Sequence, residues 1–252
     1  MINILLIDIT ELFFITNYVQ YSIYLKKGTN IKWEFFFLNK LISILKQFKE
    51  NNNIILGICD GVDNWRKHLF PEYKSDRKEI RKLQKYMNWE KRFEEFEKMK
   101  QFLDEYTCIN ILEHQNLESD DIIASLCKLY SNNTQLTILS SDHDLHQLLV
   151  YPNVKLISLR TLKEKKIKNP IAELNKLIRN GDKTDNIPKA ENYIMLIKNE
   201  ILVDLLHLPK TIIEIVDIMR KIKTKKELNK DNIPYKYKNI LKNIELLKGG
   251  KL

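Results

Sequence analysis

Nine carboxylates stand in this 252-residue chain at places where acids can meet. Asp8 closes the apolar run 2–7, and Asp60 closes a second, 54–59. Glu118, Asp120 and Asp121 open the pattern ESDDIIASLCKLY; Asp142 and Asp144 follow the run 136–139; Asp182 and Asp185 lie in NGDKTDNIP. Acids at the carboxyl ends of several strands converge on one edge of an α/β sheet. Such a group cannot stay ionised at close quarters without cations, and hard oxygen ligands suit magnesium, with manganese as a substitute. The implied chemistry is hydrolysis of a phosphodiester by two bound cations.

Each acid alone has a plainer explanation. Glu118, Asp120 and Asp121 fit the first turn of a helix, where free N–H groups and the macrodipole favour them. Asp144 fits a cap on the helix through Leu145, Leu148 and Leu149, and Asp60-Gly61 and Gly181-Asp182 fit turns. Turns and caps do not account for all nine together. The segment DHDLH (142–146) offers no further His spacing for zinc, so His143 and His146 are expected as ordinary surface or helix residues.

Cations flank the acids. Residues 66–92 hold ten Lys or Arg against four Asp or Glu, and residues 207–252 hold twelve against five, within a net charge of +9. Two basic segments around an acidic centre suit a phosphate polyanion held by its backbone. In the first, Arg66, Lys67, Lys74, Arg77, Arg81 and Lys82 offer phosphate contacts beside Trp65 and Tyr73, whose faces suit base stacking. In the second, Arg220, Lys221, Lys223, Lys225 and Lys226 are the densest run.

The elements that must position these groups read as βα alternation. Apolar runs at 2–7, 54–59, 107–112, 135–140 and 154–159 have strand length, which predicts an α/β fold with a mostly parallel central sheet flanked by helices. Trp33, Phe36, Phe37, Leu41, Ile44, Leu45 and Phe48 predict a helix over 33–50. The span 77–105, heavily charged with aromatics at Tyr86, Trp89, Phe93 and Phe96, predicts one or two helices projecting from the sheet. After Pro170 the spacing of Ile194, Ile197, Ile201 and Leu205, of Ile212, Ile215, Val216 and Met219, and of Ile240, Ile244 and Leu247 predicts only helices. The expected division is 1–169 as an α/β core with an arch at about 65–105, and 170–252 as a helical lobe that binds DNA.

Composition excludes several classes. No uncharged stretch spans a bilayer, and the first apolar run lacks a basic n-region, so a cytoplasmic protein is expected. Cys59, Cys108 and Cys127 form no C-x-x-C pair and are expected as buried thiols. Neither phosphate-loop motif occurs.

Taken in order, LLIDIT (5–10), CDGVDNWRKHLFPEYKSDR (59–77), LESDDIIASL (117–126), LSSDHDL (139–145) and GDKTDNIP (181–188) resemble the 5′-nuclease family of phage and bacterial 5′→3′ exonucleases, flap endonucleases and phage RNase H enzymes. The resemblance covers roughly 1–190 and implies the PIN/5′-nuclease-like sheet with a helical arch and a C-terminal helical lobe. It implies a nuclease acting on DNA with a 5′ flap or 5′ end, or on RNA primers in RNA–DNA hybrids, as a monomer with two magnesium ions. One cation would draw on Asp8, Asp60, Glu118, Asp120 and Asp121, with Asp8 and Asp121 close to the chemistry; the other would draw on Asp142, Asp144, Asp182 and Asp185. Lys74 and Arg77 match basic residues at the arch foot that polarise the scissile phosphate, and Tyr73 matches an aromatic there that stacks on a base. The resemblance departs after Pro188, where Lys189-Ala190-Glu191-Asn192-Tyr193 replaces a glycine-rich hairpin and no glycine follows until Gly249. Duplex grip is then expected to pass to 207–252. With no polymerase region in the sequence, a stand-alone nuclease is expected.

Three other readings compete. A haloacid-dehalogenase-like phosphatase needs a second Asp two positions after Asp8, where Thr10 stands. A small PIN-type ribonuclease leaves 65–105 and the helical lobe without a purpose. An idle branched-DNA-binding protein would show lost acids, and none is lost.

Overall fold

The computed structural model describes residues 2–29, 31–48, 51–52, 54–84 and 87–223. Six strands form one sheet in the order β3-β2-β1-β4-β5-β6. They are β1 (Ile2–Asp8), β2 (Ile54–Ile58), β3 (Ile109–Leu112), β4 (Thr134–Leu139), β5 (Val154–Ile157) and β6 (Glu164–Lys165). The first five are mutually parallel, as their near-continuous apolar sequences demand of strands covered on both faces; β6 alone is antiparallel. The chain runs from β1 out to β3, then returns to lay β4 on the other side of β1. That reversal opens a crevice at the carboxyl ends of β1 and β4, the usual ligand position in such sheets.

Helices α1 (Ile9–Lys27), α2 (Trp33–Phe48) and α5 (Trp89–Tyr106) cover one face. Phe13, Trp33, Phe37, Phe96, Met99 and Leu103 pack there against Leu5, Ile7 and Ile55. The second face carries α6 (Ser119–Tyr130), a 3₁₀ helix (Asp144–Val150) and α9 (Lys210–Lys223). Ile122, Leu126, Leu145, Ile212 and Val216 bury Ile4, Leu6, Leu56 and Ile138. Alternate residues of each strand thus serve opposite cores. Cys59 and Cys127 are buried, Cys108 is half-buried, and none is in a disulfide. No helix among the described residues is long and apolar enough to cross a membrane.

Two expectations change. Of the span 77–105, α4 (Asp76–Leu83) has no buried residue, but α5 lies on the sheet rather than projecting from it. Its many charges hid Phe96, Met99, Phe102 and Leu103, which recur at three- and four-residue spacing on the inward face. After Pro170, α7 (Pro170–Asn180) and α8 (Tyr193–Val203) pack together, while α9 returns to the sheet and shares its second core instead of standing apart in a lobe. On α8, Leu202 and Val203 face inward, whereas Tyr193 and Ile194 are exposed. The pattern at Tyr86, Lys225, Lys226, Ile240, Ile244 and Leu247 lies outside the described residues.

Candidate active site

The acids meet at the crevice between β1 and β4. Asp8 ends β1 and caps α1, its Oδ1 accepting from Glu11 N at 2.8 Å and its Oδ2 from Ser140 Oγ at 3.1 Å. Asp60 follows β2, with its N–H donating to Thr10 Oγ1 (2.9 Å) and its Oδ1 accepting from Ser119 N (2.8 Å). The bend after Asp60 requires glycine, since a Cβ on Gly61 would lie 2.1 Å from the His114 carbonyl oxygen. Asp120 sits in the first turn of α6. Asp142 and Asp144 follow β4, linked by Asp144 N donating to Asp142 Oδ1 at 2.9 Å.

None of these acids forms a salt bridge among the described residues, and burial with mutual repulsion raises three of them. Burial, reinforced by Glu11 and Asp60, holds the Asp8 carboxyl well above the usual carboxylate range. Burial does the same to Asp120, aided by Asp142 and Asp8 against the pull of Lys74. Asp144 is pushed up to about 7 by burial and by Asp142.

A second set of acids is already neutralised. Lys74 Nζ lies 2.6 Å from Glu118 Oε1 and 3.3 Å from Asp185 Oδ2, and Arg77 lies 2.5 Å from Asp185 Oδ1. Burial would raise the Glu118 carboxyl, but Lys74 and Arg66 outweigh it and bring it down to about 2. Lys74 holds a left-handed backbone with φ of 54°, which costs a non-glycine residue about 1–3 kcal/mol. Its N–H donates to Asp185 O at 3.0 Å, so both ends of the residue are fixed on Asp185. Asp182 stands at the neck of the same loop, accepting from Thr184 N at 2.7 Å, with Ile187 N donating to its carbonyl at 2.7 Å.

Three of the expected site residues are buried and bonded within the protein. Asp121 is fully buried: Arg66 lies 2.8 Å away, and Trp65 Nε1 and Glu118 N both donate to it at 3.1 Å. Burial raises its carboxyl, and Arg66, which cannot deprotonate, opposes that. Asp121 therefore braces the helix entry. Arg66, 1% exposed, bonds Asp121, Glu118 and the Leu202 carbonyl (2.9 Å), so it does not face solvent for a phosphate. Tyr73 is buried with Leu174, Ile178, Ile187 and Leu202, where its ring packs against α7 and α8, and its hydroxyl donates to Glu118 at 3.1 Å.

Among the other cations, Lys67 is exposed, Lys82 pairs with Glu79, Lys221 pairs with Asp217 and Arg220 stands 4.1 Å over the Tyr130 ring. Lys223 closes α9, away from the acids in sequence. His146 is buried, with its Nδ1 2.9 Å from Glu173, and stacks edge-on to His143. Glu11 was not foreseen: its Oε2 accepts from Ser141 N at 2.6 Å and Ser140 Oγ at 3.1 Å, which adds a carboxylate beside Asp8. The signal was its position three residues after Asp8, one helical turn on.

Carboxylates crowded without cationic partners fit magnesium or manganese in kind, being hard oxygen donors. Among the described residues, no three His, Cys, Asp or Glu are set closely enough to enclose a cation as they stand. The acids would have to draw in around the ions.

Residues 3–175 match the family model described as the 5′–3′ exonuclease N-terminal resolvase-like domain. The chain belongs to the 5′–3′ exonuclease family. The matched span includes Asp8, Asp60, Glu118, Asp120, Asp142 and Asp144 and ends before Asp182 and Asp185. Among curated relatives in this 5′–3′ exonuclease family's neighbourhood, Ribonuclease H of Enterobacteria phage T4 is 33% identical over 162 residues, covering 61% of this chain and 52% of that protein. A 5′–3′ exonuclease of Buchnera aphidicola is 28% identical over 160 residues, covering 60% and 52%. The chain thus spans about half the length of the curated relatives it matches. The fold is that of the T5 5′-exonuclease solved with divalent zinc ions bound, with TM-score 0.68 and 18% identity over 88% of this chain and 99% of that one. A bacteriophage T5 flap endonuclease solved with DNA and metal ions gives TM-score 0.68 at 16% identity, over 88% and 100%.

Proposed function

We propose that this 5′–3′ exonuclease family member hydrolyses phosphodiesters near the 5′ ends or flaps of duplex DNA, using two magnesium ions that manganese can replace. The observation that carries the reading is the set Asp8, Asp60, Asp120, Asp142 and Asp144, gathered at the crevice with no salt bridge among the described residues, where burial and like charge raise the carboxyls of Asp8, Asp120 and Asp144. Asp8, Asp60, Glu118 and Asp120 would hold one ion, and Asp142, Asp144, Asp182 and Asp185 the other. Bound there, the ions would supply charge to activate water and steady the leaving oxygen.

The chain's own residues do the rest. Lys74 and Arg77, at the foot of α4, place positive charge beside the acids, where a phosphate bridging them gains most as negative charge develops. Tyr73 and Arg66 fix Glu118 from behind. The pair α7 and α8 forms without the glycine-rich turn: Asn199 Nδ2 donates to the Ile178 and Pro188 carbonyls at 2.9 and 2.8 Å, tying the loop to both helices. Its flank, with Lys183 and Lys189, would meet duplex, and the relative named Ribonuclease H and the flap endonuclease solved with DNA suggest the substrates to compare.

Incubating labelled 5′-flap DNA, blunt duplex and RNA–DNA hybrid with the protein tests this. Cleavage should require magnesium or manganese, stop with EDTA and fall at least a hundredfold in Asp120→Asn. Undiminished cutting in EDTA would remove the two-ion reading.

A further inference from the structure

Helix α1 opens with Asp8 as its N-cap, which puts Glu11 at the position where an acid ordinarily turns back to bond the cap's own N–H. Helix α6 shows that use, with Asp121 accepting from Glu118 N at 3.1 Å. Glu11 does otherwise. Its Oε2 crosses to the end of β4, where it accepts from Ser141 N at 2.6 Å and from Ser140 Oγ at 3.1 Å. The same hydroxyl, on a fully buried residue, lies 3.1 Å from Asp8 Oδ2 and accepts from Asp142 N at 3.2 Å. Asp144 N in turn donates to Asp142 Oδ1 at 2.9 Å. The turn that carries Asp142 and Asp144 thus hangs from Glu11, whose other oxygen has Arg160 Nε at 3.9 Å.

We propose that Glu11 is a positioning residue that sets the acids after β4, Asp142 and Asp144, against Asp8 at the end of β1. The ladder between these two strands ends at the pair Ile7 and Leu139. Beyond it, Glu11 and the Ser140 hydroxyl carry the connection up to the first acid. A carboxylate is an informative choice for this place. A glutamine could accept both bonds on its single amide oxygen without opposing Asp8, whose ionisation the Glu11 charge disfavours. The acid is the better residue where cations offset that repulsion and gain from the added charge. The inference rests on the proposed nuclease reading, because that reading makes Asp142 and Asp144 ligands. An outer partner that orients a ligand typically changes metal affinity about 10–100-fold.

Two readouts without nucleic acid test it. In EDTA, hydrogen exchange across 140–144 should rise in Glu11→Ala and stay near the wild-type rate in Glu11→Gln, which keeps an oxygen for both bonds. Manganese binding, followed through the EPR signal of the free ion, should be about tenfold or more weaker in Glu11→Ala than in Glu11→Gln. Both variants lose the charge, so the difference between them reports what the side chain holds in place, and a residue that only steadied the fold would not move it. Ser140→Ala keeps every charge and should weaken manganese binding about two- to tenfold; it decides the matter even if Glu11→Ala does not fold. Equal manganese affinity in Glu11→Ala and Glu11→Gln overturns the proposal, as does parental affinity in Ser140→Ala. Wild-type protein that binds no manganese overturns the two-ion reading instead, and the exchange across 140–144 then decides alone whether Glu11 holds the turn.

Discussion

Asp120 and Asp121 share the first turn of α6, yet Asp120 stands among like charges while Asp121 meets a guanidinium. The ESDD spacing places both at the helix entry, and nothing local in the sequence separates them. Arg66 makes the separation from 55 positions away, across a loop and a core. Substitution should therefore act with opposite sign on adjacent residues. In metal-free buffer, Asp120→Asn removes repulsion and should stabilise the fold by about 1 kcal/mol. Asp121→Asn leaves Arg66 and Glu118 with an incomplete buried network and should cost about 3–5 kcal/mol. Urea unfolding of both variants checks this, and an Asp121→Asn protein as stable as its parent would disprove the bracing role. Tyr73 and Arg66 teach the same lesson. Their residue types suit nucleic acid, but burial is a property of the whole fold, and the surrounding motif carries no mark of it.

At the scale of elements, the parallel strands were legible because burial on both faces writes itself as short runs rich in Ile, Leu and Val. The acids at their ends were legible for the same reason, since each breaks such a run. The two-residue β6 was too short to leave a pattern. The faces of the helices were less readable: α5 conceals an inward stripe among charges, and α8 exposes Tyr193 and Ile194 while burying Asn199. Periodicity reveals a helix, but the partner decides which side is covered. The α7–α8 pair shows how chemistry replaces a missing motif. With no second glycine between Gly181, whose φ of 69° opens the loop, and the end of α8, one buried amide bridges the end of α7 and the exit at Pro188. Asn199→Leu keeps the branched shape and removes both hydrogen bonds, leaving two carbonyls without a donor, at about 1–3 kcal/mol. Hydrogen exchange should rise across 181–192 and leave β1 and β4 protected. Uniform exchange throughout the protein would mean that α7 and α8 are not held by this residue.

For the whole molecule, two sets of acids oppose each other as pH changes. Asp8, Asp120 and Asp144 have folded-state carboxyls raised above their unfolded values, so the folded chain binds protons more tightly there. Their stabilisation is present below the unfolded carboxylate range and is lost as pH rises through the folded values, which for Asp144 means up to about 7. Glu118, held at about 2, behaves inversely: its contribution is present above the unfolded range and disappears as pH falls toward 2. Without cations the protein should thus be less stable at pH 8 than near pH 5.5, by on the order of 2 kcal/mol. Cations that bind only the folded acids add stability by mass action and favour the ionised forms. Magnesium should consequently raise the melting temperature more at pH 8 than at pH 5.5 and reverse the metal-free trend. Thermal melts at both pH values, in EDTA and in magnesium, measure all four corners. A magnesium-induced shift of the same size at both pH values would show that the ion does not engage these carboxylates, even if it supports cleavage by some other route.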